Sequence, residues 1–293
     1  MAARTKLWVP ILVAAGFSVL YWEVLSKLVQ DWATDDNYSH GFLVAPLAIY
    51  FVWERRRQLM ATPVAPAWSG LFILVTSLVV LAAGVFGAEL FLARVSMLGT
   101  LTGAIVFILG WQHLRRLAFP MAFMLLMIPI PAIIFNQVAF PLQLIASRVG
   151  EMTLSLLSIP VLREGNVIVL ANTSLEVAEA CSGIRSLISL LTLGIVYGYF
   201  TDARTGMRVA IALATIPVAI AANGLRVAGT GIAATYFGQD AATGFFHTFS
   251  GWLVFMASFV MLFLLMRVIK WVFPDSHVRS LPSIAGASLE VQQ

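Results

Sequence analysis

Charge is scarce in this chain. Only 11% of its 293 residues are Asp, Glu, Lys or Arg, while 60% are hydrophobic and the mean hydropathy is +0.92. An ordinary soluble domain carries about 25% charged residues, so a solvated globule of the usual kind is excluded. The net charge of +4 gives no basic tract for nucleic acid, because the basic residues stand at the ends of apolar runs. Cysteine is scarcer still, with Cys181 alone. One thiol excludes an internal disulfide and a cysteine-built metal site. Internal repeats, low-complexity tracts and a separate soluble domain are also missing. What is present is a series of apolar runs of about 20 residues, the length that crosses a hydrocarbon core of about 30 Å. The expectation is an all-α polytopic membrane protein, with no cofactor and no metal.

Eight candidate spans can be marked, at about 7–25, 41–53, 70–87, 90–111, 117–135, 182–200, 208–235 and 247–266. The fifth is interrupted by Pro129 and Pro131. Arg4 and Lys6 before the first span imitate a signal peptide, but no small-residue cleavage site follows, and a retained helix is expected. Residues 1–273 then form one membrane domain, and 274–293 form a cytoplasmic tail expected to be disordered. Short cytoplasmic loops accumulate Lys and Arg. With both termini inside, the inner segments hold Arg4, Lys6, Arg55, Arg56, Arg57, Arg115, Arg116, Arg204, Arg208, Arg267, Lys270 and Arg279, which is 12 of the 18 basic residues.

That orientation leaves three outer segments, 29–40, 136–180 and 238–246. In the second, Gln143, Ser147, Glu151 and Ser155 recur every four residues, a polar stripe on an apolar helix suited to lying in the membrane interface. Two β-prone runs, Gly165–Leu170 and Ser174–Val177, flank Ala171-Asn172-Thr173, so a small extracytoplasmic hairpin is expected. It leads into Cys181.

Few polar groups interrupt the spans, and each has competing readings. Cys181 lies where a polar loop meets an apolar helix, a setting that favours thiolate. It can be an incidental core residue, a lipidation point or a nucleophile. Its outer position weighs against lipidation, which favours juxtamembrane cysteines on the cytoplasmic side. Arg226 lies in the outward half of the seventh span. It is either a snorkelling arginine or a group facing a cavity, and Asn223 sits one turn earlier on a similar face. His247 opens the eighth span, as a structural histidine or an acid–base group. Arg185 rivals Arg226 for the arginine role, and His40 is a second histidine on the outer side. Together a thiol, an imidazole and a guanidinium suit acyl transfer: nucleophile, proton shuttle, and stabiliser of developing negative charge.

At these residues the sequence resembles the exosortase family, and within it the exosortase A type. The likeness is carried by Leu175-Glu176-Val177-Ala178-Glu179-Ala180-Cys181-Ser182-Gly183-Ile184-Arg185-Ser186, by Asn223-Gly224-Leu225-Arg226, and by Gly244-Phe245-Phe246-His247 with Gly251-Trp252. Asp36-Asn37-Tyr38-Ser39-His40-Gly41-Phe42-Leu43-Val44 and Arg163-Glu164-Gly165-Asn166 add to it. The resemblance implies a membrane cysteine transpeptidase, linked to exopolysaccharide-associated protein sorting in a bacterial inner membrane. Its implied partners are membrane lipid and secreted proteins ending in a Pro-Glu-Pro motif, a transmembrane helix and a basic tail. It further implies Cys181 as nucleophile, Arg226 as essential arginine and His247 as histidine. Beside these three, Arg185, Asn223, His40 and Tyr38 are the candidate substrate-binding or supporting residues. The competing class is a non-enzymatic transporter or assembly factor for exported polysaccharide. A lipid-carrier transferase is a third, resting thinly on Asp35-Asp36.

Overall fold

The structure is a computed structural model that describes residues 12–171, 173–177, 183–202, 204–238 and 244–272, with 244–250 and Val272 described at the backbone alone. Cys181, the side chain of His247 and the tail from 273 onward lie outside the described residues. Helices α1 (Leu12–Leu20) and α2 (Trp22–Thr34) meet at an angle of 66°. Tyr21 makes the break: its ring is fully buried and its hydroxyl bonds Thr100 Oγ1 at 2.7 Å and Ser96 Oγ at 3.1 Å. The first helical segment therefore runs on to Thr34, well past the expected end near 25.

Next come α3 (Gly41–Glu54), α4 (Arg56–Ala61), α5 (Trp68–Phe86), α6 (Leu90–Ile108) and α7 (Trp111–Phe123), the last tightening into a 3₁₀ turn over Met124–Met127. α5 and α6 form a close antiparallel pair because small residues face each other. A Cβ on Gly70 would stand 2.1 Å from the Phe107 nitrogen, and one on Gly103 would stand 2.6 Å from the Leu74 nitrogen. In lipid, where apolar burial drives little association, such contact is what holds a helix pair.

α8 (Ala132–Leu156) follows the Pro129/Pro131 break, then three strands, α9 (Ile184–Thr201), α10 (Thr205–Phe237) and α11 (Gly244–Val272). Six of these helices are long and apolar enough to cross a membrane, or seven when the bent α1–α2 pair is counted as one. The expected eight is not reached by that measure. α3 at 14 residues and α7 at 13 fall short of the roughly 20 that a full crossing needs. The fifth expected span, 117–135, is divided by the proline break between the end of α7 and the start of α8.

α8 has the length of a span, yet both of its ends lie at one end of the bundle. It begins just after Leu126 and Met127, whose carbonyls accept from His40 Nε2 and Trp32 Nε1 at 2.9 Å each. Its last turns pack on the C-terminal half of α10, with Val149 against Gly224, Gly150 against Val227 and Leu154 against Gly231. Two residues of its polar stripe find partners in the segment that follows. Ser147 is fully buried and donates to the Gly165 carbonyl at 3.0 Å, and Glu151 accepts from Arg163 Nε at 2.9 Å. Ser147 and Glu151 thus tie α8 to the strands, while Ser155 of the same stripe is exposed.

The strands number three rather than the expected two. β1 (Val161–Glu164), β2 (Val167–Leu170) and β3 (Ser174–Glu176) form one antiparallel sheet in the order β1-β2-β3. The β1–β2 turn is Gly165-Asn166, with Gly165 at φ +66°, a left-handed conformation suited to a two-residue hairpin. Ile168 and Leu170 point from β2 into a core shared with Ala146, Leu154, Val227 and Ala234. Thus α8 and the sheet cap the far end of α10.

At the opposite end of the bundle the basic side chains around Tyr199 and Asp202 are satisfied locally. Arg208 Nε donates to the Asp202 carbonyl at 2.7 Å, Lys270 Nζ donates to the Thr201 carbonyl at 2.6 Å, and the Tyr199 hydroxyl donates to Glu54. Arg55 and Arg208 both sit against the Tyr199 ring. Asp202 is held ionised well below the usual carboxylate range, chiefly by the Arg204 guanidinium bonded to it.

Candidate functional site

Four helices reach the sheet-bearing end of the bundle around one cavity. α9 begins there. Its N-cap is Gly183, at φ +78°, and a Cβ there would stand 2.7 Å from Asn223 Cγ. Glycine is required on both counts, since the left-handed conformation and the close approach of Asn223 each penalise a side chain. Asn223 is buried on α10, so this helix is clasped to the start of α9 two residues after Cys181. One turn further along α10, half-buried Arg226 packs against α11: a Cβ on Gly251 would stand 3.1 Å from Arg226 Nη2. Gly251 follows His247 by four residues, one helical turn along α11.

The turn before α3 supplies the other wall. Asn37 N donates to Asp35 Oδ1 at 2.9 Å, an Asx turn that presents Asp36 and Asn37 toward α9. Arg185, in the first turn of α9, donates to Asp36 Oδ2 at 3.1 Å and to Asn37 Oδ1 at 3.4 Å. Both members of the ion pair are exposed, at 42% and 77% of their side-chain surface. Such a pair contributes at most about 1 kcal/mol and exchanges readily for another anion.

His40 is buried, with Nε2 at 2.9 Å from the Leu126 carbonyl. A carbonyl only accepts, so Nε2 carries the proton and Nδ1 the lone pair in the neutral ring. Nδ1 has no partner in bonding geometry among the described residues. Burial lowers the pKa below the ordinary histidine value, outweighing the opposing pull of the Leu126 and Asn37 carbonyls. Tyr38 is also buried, its ring centre 6.5 Å from that of His40, and burial raises its phenol pKa.

The cavity enclosed by these elements has a volume of about 740 Å³. Asp36, Ser39, His40, Arg185, Arg226, Gly251 and Trp252 line it together with Ser186, Ser189 and Thr192. Leu43, Leu47, Leu193, Val196 and Phe255 complete the lining. Along α9 the wall runs from Arg185 to Val196, about 16 Å at 1.5 Å per residue. Its end at the start of α3 and α9 is polar, and it becomes apolar with depth. Among the described residues its lining carries the Arg185 and Arg226 guanidinium groups, the Asp36 carboxylate paired with Arg185, and a row of hydroxyls, so this end suits a polar, strongly dipolar ligand. Beyond Leu47 and Val196, α3 and α9 meet through rings, with Phe51 and Tyr199 centred 4.5 Å apart, and Phe119 of α7 stacks on Tyr199 at 4.8 Å.

Of the residues singled out in the sequence, Arg185, Arg226 and His40 line this one cavity. Asn223 stands behind Gly183 and holds the helix ends together, while Tyr38 is packed in the turn and does not line the wall. Unforeseen were Asp36 as the partner of Arg185, and the polar face of Ser186, Ser189 and Thr192. The signal was available, since hydroxyls three residues apart on an apolar helix share a face. Also unforeseen was Arg94, buried at 3% exposure on α6 and paired with Asp31, which ties α6 to α2.

A search of curated proteins and a search of solved structures found no match. The family model described as transmembrane exosortase (Exosortase_EpsH) matches residues 32–264, spanning every element of the cavity wall. That match takes in 233 of the 293 residues, and with the bundle of apolar helices it shows that the chain belongs to the transmembrane exosortase family.

Proposed function

We propose that this protein is a cysteine transpeptidase that cleaves C-terminal Pro-Glu-Pro-type sorting signals of secreted proteins at the outer face of a bacterial inner membrane. Both termini lie in the cytoplasm in this reading. The observation that carries it is the meeting of Arg185, Arg226 and Gly251 on three helices around one cavity, at the end of the bundle away from the Arg55, Arg208 and Lys270 cluster. Two peptide links separate Cys181 from Gly183, a reach of about 7 Å. His247 is one helical turn from the glycine against which Arg226 packs.

The roles follow from the chemistry of the groups. The Cys181 thiolate attacks the scissile carbonyl, and the Arg226 guanidinium stabilises the developing oxyanion or holds the peptide backbone. Collapse of the tetrahedral intermediate breaks the C–N bond, and the His247 imidazolium protonates the departing amine. An acceptor nucleophile then attacks the thioester, giving up its proton to the neutral imidazole, and the thiolate is released. The apolar depth of the cavity suits the first turns of the substrate's own transmembrane helix, with its short motif at the polar mouth. The ring contacts between α3 and α9 argue against a continuous pathway of the kind an exporter needs.

The test is Cys181→Ala and Arg226→Ala in the native host, following by immunoblot a secreted protein that ends in Pro-Glu-Pro, an apolar helix and a basic tail. Each normally inserted variant is expected to accumulate the uncleaved form. Unchanged processing in Cys181→Ala rules out the enzyme reading.

A further inference from the structure

A second cavity, of about 580 Å³, lies at the other end of the bundle and is independent of the transpeptidase reading. It is formed by α4, the segment after it and the first two turns of α7. Its lining is Gln58, Ala61, Thr62, Pro63, Gln112, Arg115 and Arg116. Four of these seven side chains offer nitrogen donors, and no carboxylate is present. The neighbouring arginines are already engaged: Arg55 donates to the Phe51 carbonyl and lies against Tyr199, and Arg56 donates to the Trp53 carbonyl and lies 4.0 Å over the Trp53 ring. Arg115 and Arg116 make no ion pair among the described residues. They sit in the second turn of α7, whose first turn holds no acidic residue to offset them.

Three tryptophans give the depth. Trp53, Trp68 and Trp111 are all exposed around this end, and Trp111 Nε1 donates to Ser69 Oγ at 2.9 Å. Exposed tryptophan marks the level of lipid headgroups, and unbalanced arginine marks the cytoplasmic leaflet. An anion-seeking cavity at that level meets phospholipid headgroups before any soluble ion. Basic pockets between membrane helices on this side are suited to anionic headgroups.

We propose that the Gln58–Gln112–Arg115–Arg116 cavity is a binding site for the phosphodiester headgroup of an anionic glycerophospholipid of the inner leaflet. The guanidinium groups pair with the phosphate oxygens, and the two amides bond the headgroup hydroxyls. Native mass spectrometry of the purified full-length protein, titrated with phosphatidylglycerol or phosphatidylcholine, tests this. At about 1 kcal/mol per basic residue near the lipid surface, phosphatidylglycerol is expected to bind about 30-fold better at low salt. The double substitution Arg115→Gln/Arg116→Gln is expected to bring the two lipids close to parity without changing the helical circular dichroism. Equal preference in wild type and double variant overturns the proposal. So does displacement of the lipid by inorganic phosphate at equal concentration, which identifies a soluble-anion site instead. If the double variant fails to fold, the wild type decides alone: a preference for phosphatidylglycerol that high salt abolishes supports the site, and equal retention of both lipids overturns it.

Discussion

A methyl group at Gly251 would meet the end of the Arg226 side chain, whereas one at Gly183 would meet the branch point of Asn223 and sit on a left-handed backbone. The two glycines therefore differ in what they tolerate. Gly251→Ala asks only that a flexible guanidinium shift by a few tenths of an ångström, and most processing is expected to survive. Gly251→Leu fills the place of the guanidinium and is expected to lower processing to the level of Arg226→Ala, with membrane insertion unchanged, both scored by immunoblot. Gly183→Ala carries a backbone cost of about 1–3 kcal/mol besides the clash. Its thermal unfolding midpoint in detergent is expected to fall, and Asn223→Ala in the same chain is expected to restore part of the loss, because contacting residues couple. Additive loss in the double variant contradicts the clasp. His40 adds a pH dependence. Its folded-state pKa is lowered from 6.5, so unfolding takes up a proton as the solution is acidified. The stability that this neutral ring contributes is fully present above about pH 6.5 and is lost as pH falls through the lower, folded value. Unfolding midpoints between pH 7.5 and 5 are expected to decline in the wild type and to decline less in His40→Gln.

Among the elements, the α5–α6 pair depends on glycine for its spacing. Gly70→Leu places a side chain where the Phe107 backbone nitrogen lies 2.1 Å from the first added carbon, and backbone cannot yield as a side-chain tip can. The pair must separate, which forfeits dispersion contact along both helices, and the variant is expected to lose several degrees of thermal stability. A midpoint within a degree of wild type contradicts the close-packed pair. The helices were legible in the sequence wherever hydropathy ran unbroken, as in α5, α6 and α9. What escaped was set by tertiary contact. The break at Tyr21 exists because its hydroxyl bonds Thr100 and Ser96 on α6, which no local pattern announces. The polar stripe of α8 was visible, but its partner was not, since Ser147 and Glu151 bond to the Gly165 carbonyl and Arg163, which follow them in the chain. β1 was missed because Val161-Leu162-Arg163-Glu164 lacks a clean alternation and gains its place by pairing with β2.

For the whole molecule, the division of charge between its two ends organises everything else. One end gathers Arg55, Arg204, Arg208 and Lys270 around Asp202, Glu54 and Tyr199. The other carries the sheet, the Asp36–Arg185 pair and the large cavity. Loop charge alone proposed that division from the sequence. The candidate site was legible as residue types on three helices, and Arg226 and Arg185 do line one cavity. Its depth, its gradient from polar to apolar, and the face of Ser186, Ser189 and Thr192 come only from the way α3, α9, α10 and α11 stand around it. The central claim concerns a covalent bond, so intact-mass and peptide mapping of the purified protein mixed with a secreted protein bearing a C-terminal Pro-Glu-Pro signal, quenched in acid, is the most direct measurement. The predicted result is an adduct of the substrate's N-terminal fragment on Cys181, released by hydroxylamine and missing from Cys181→Ala. Cleavage of the substrate with no adduct on Cys181, or an equal rate of cleavage by Cys181→Ala, would contradict it.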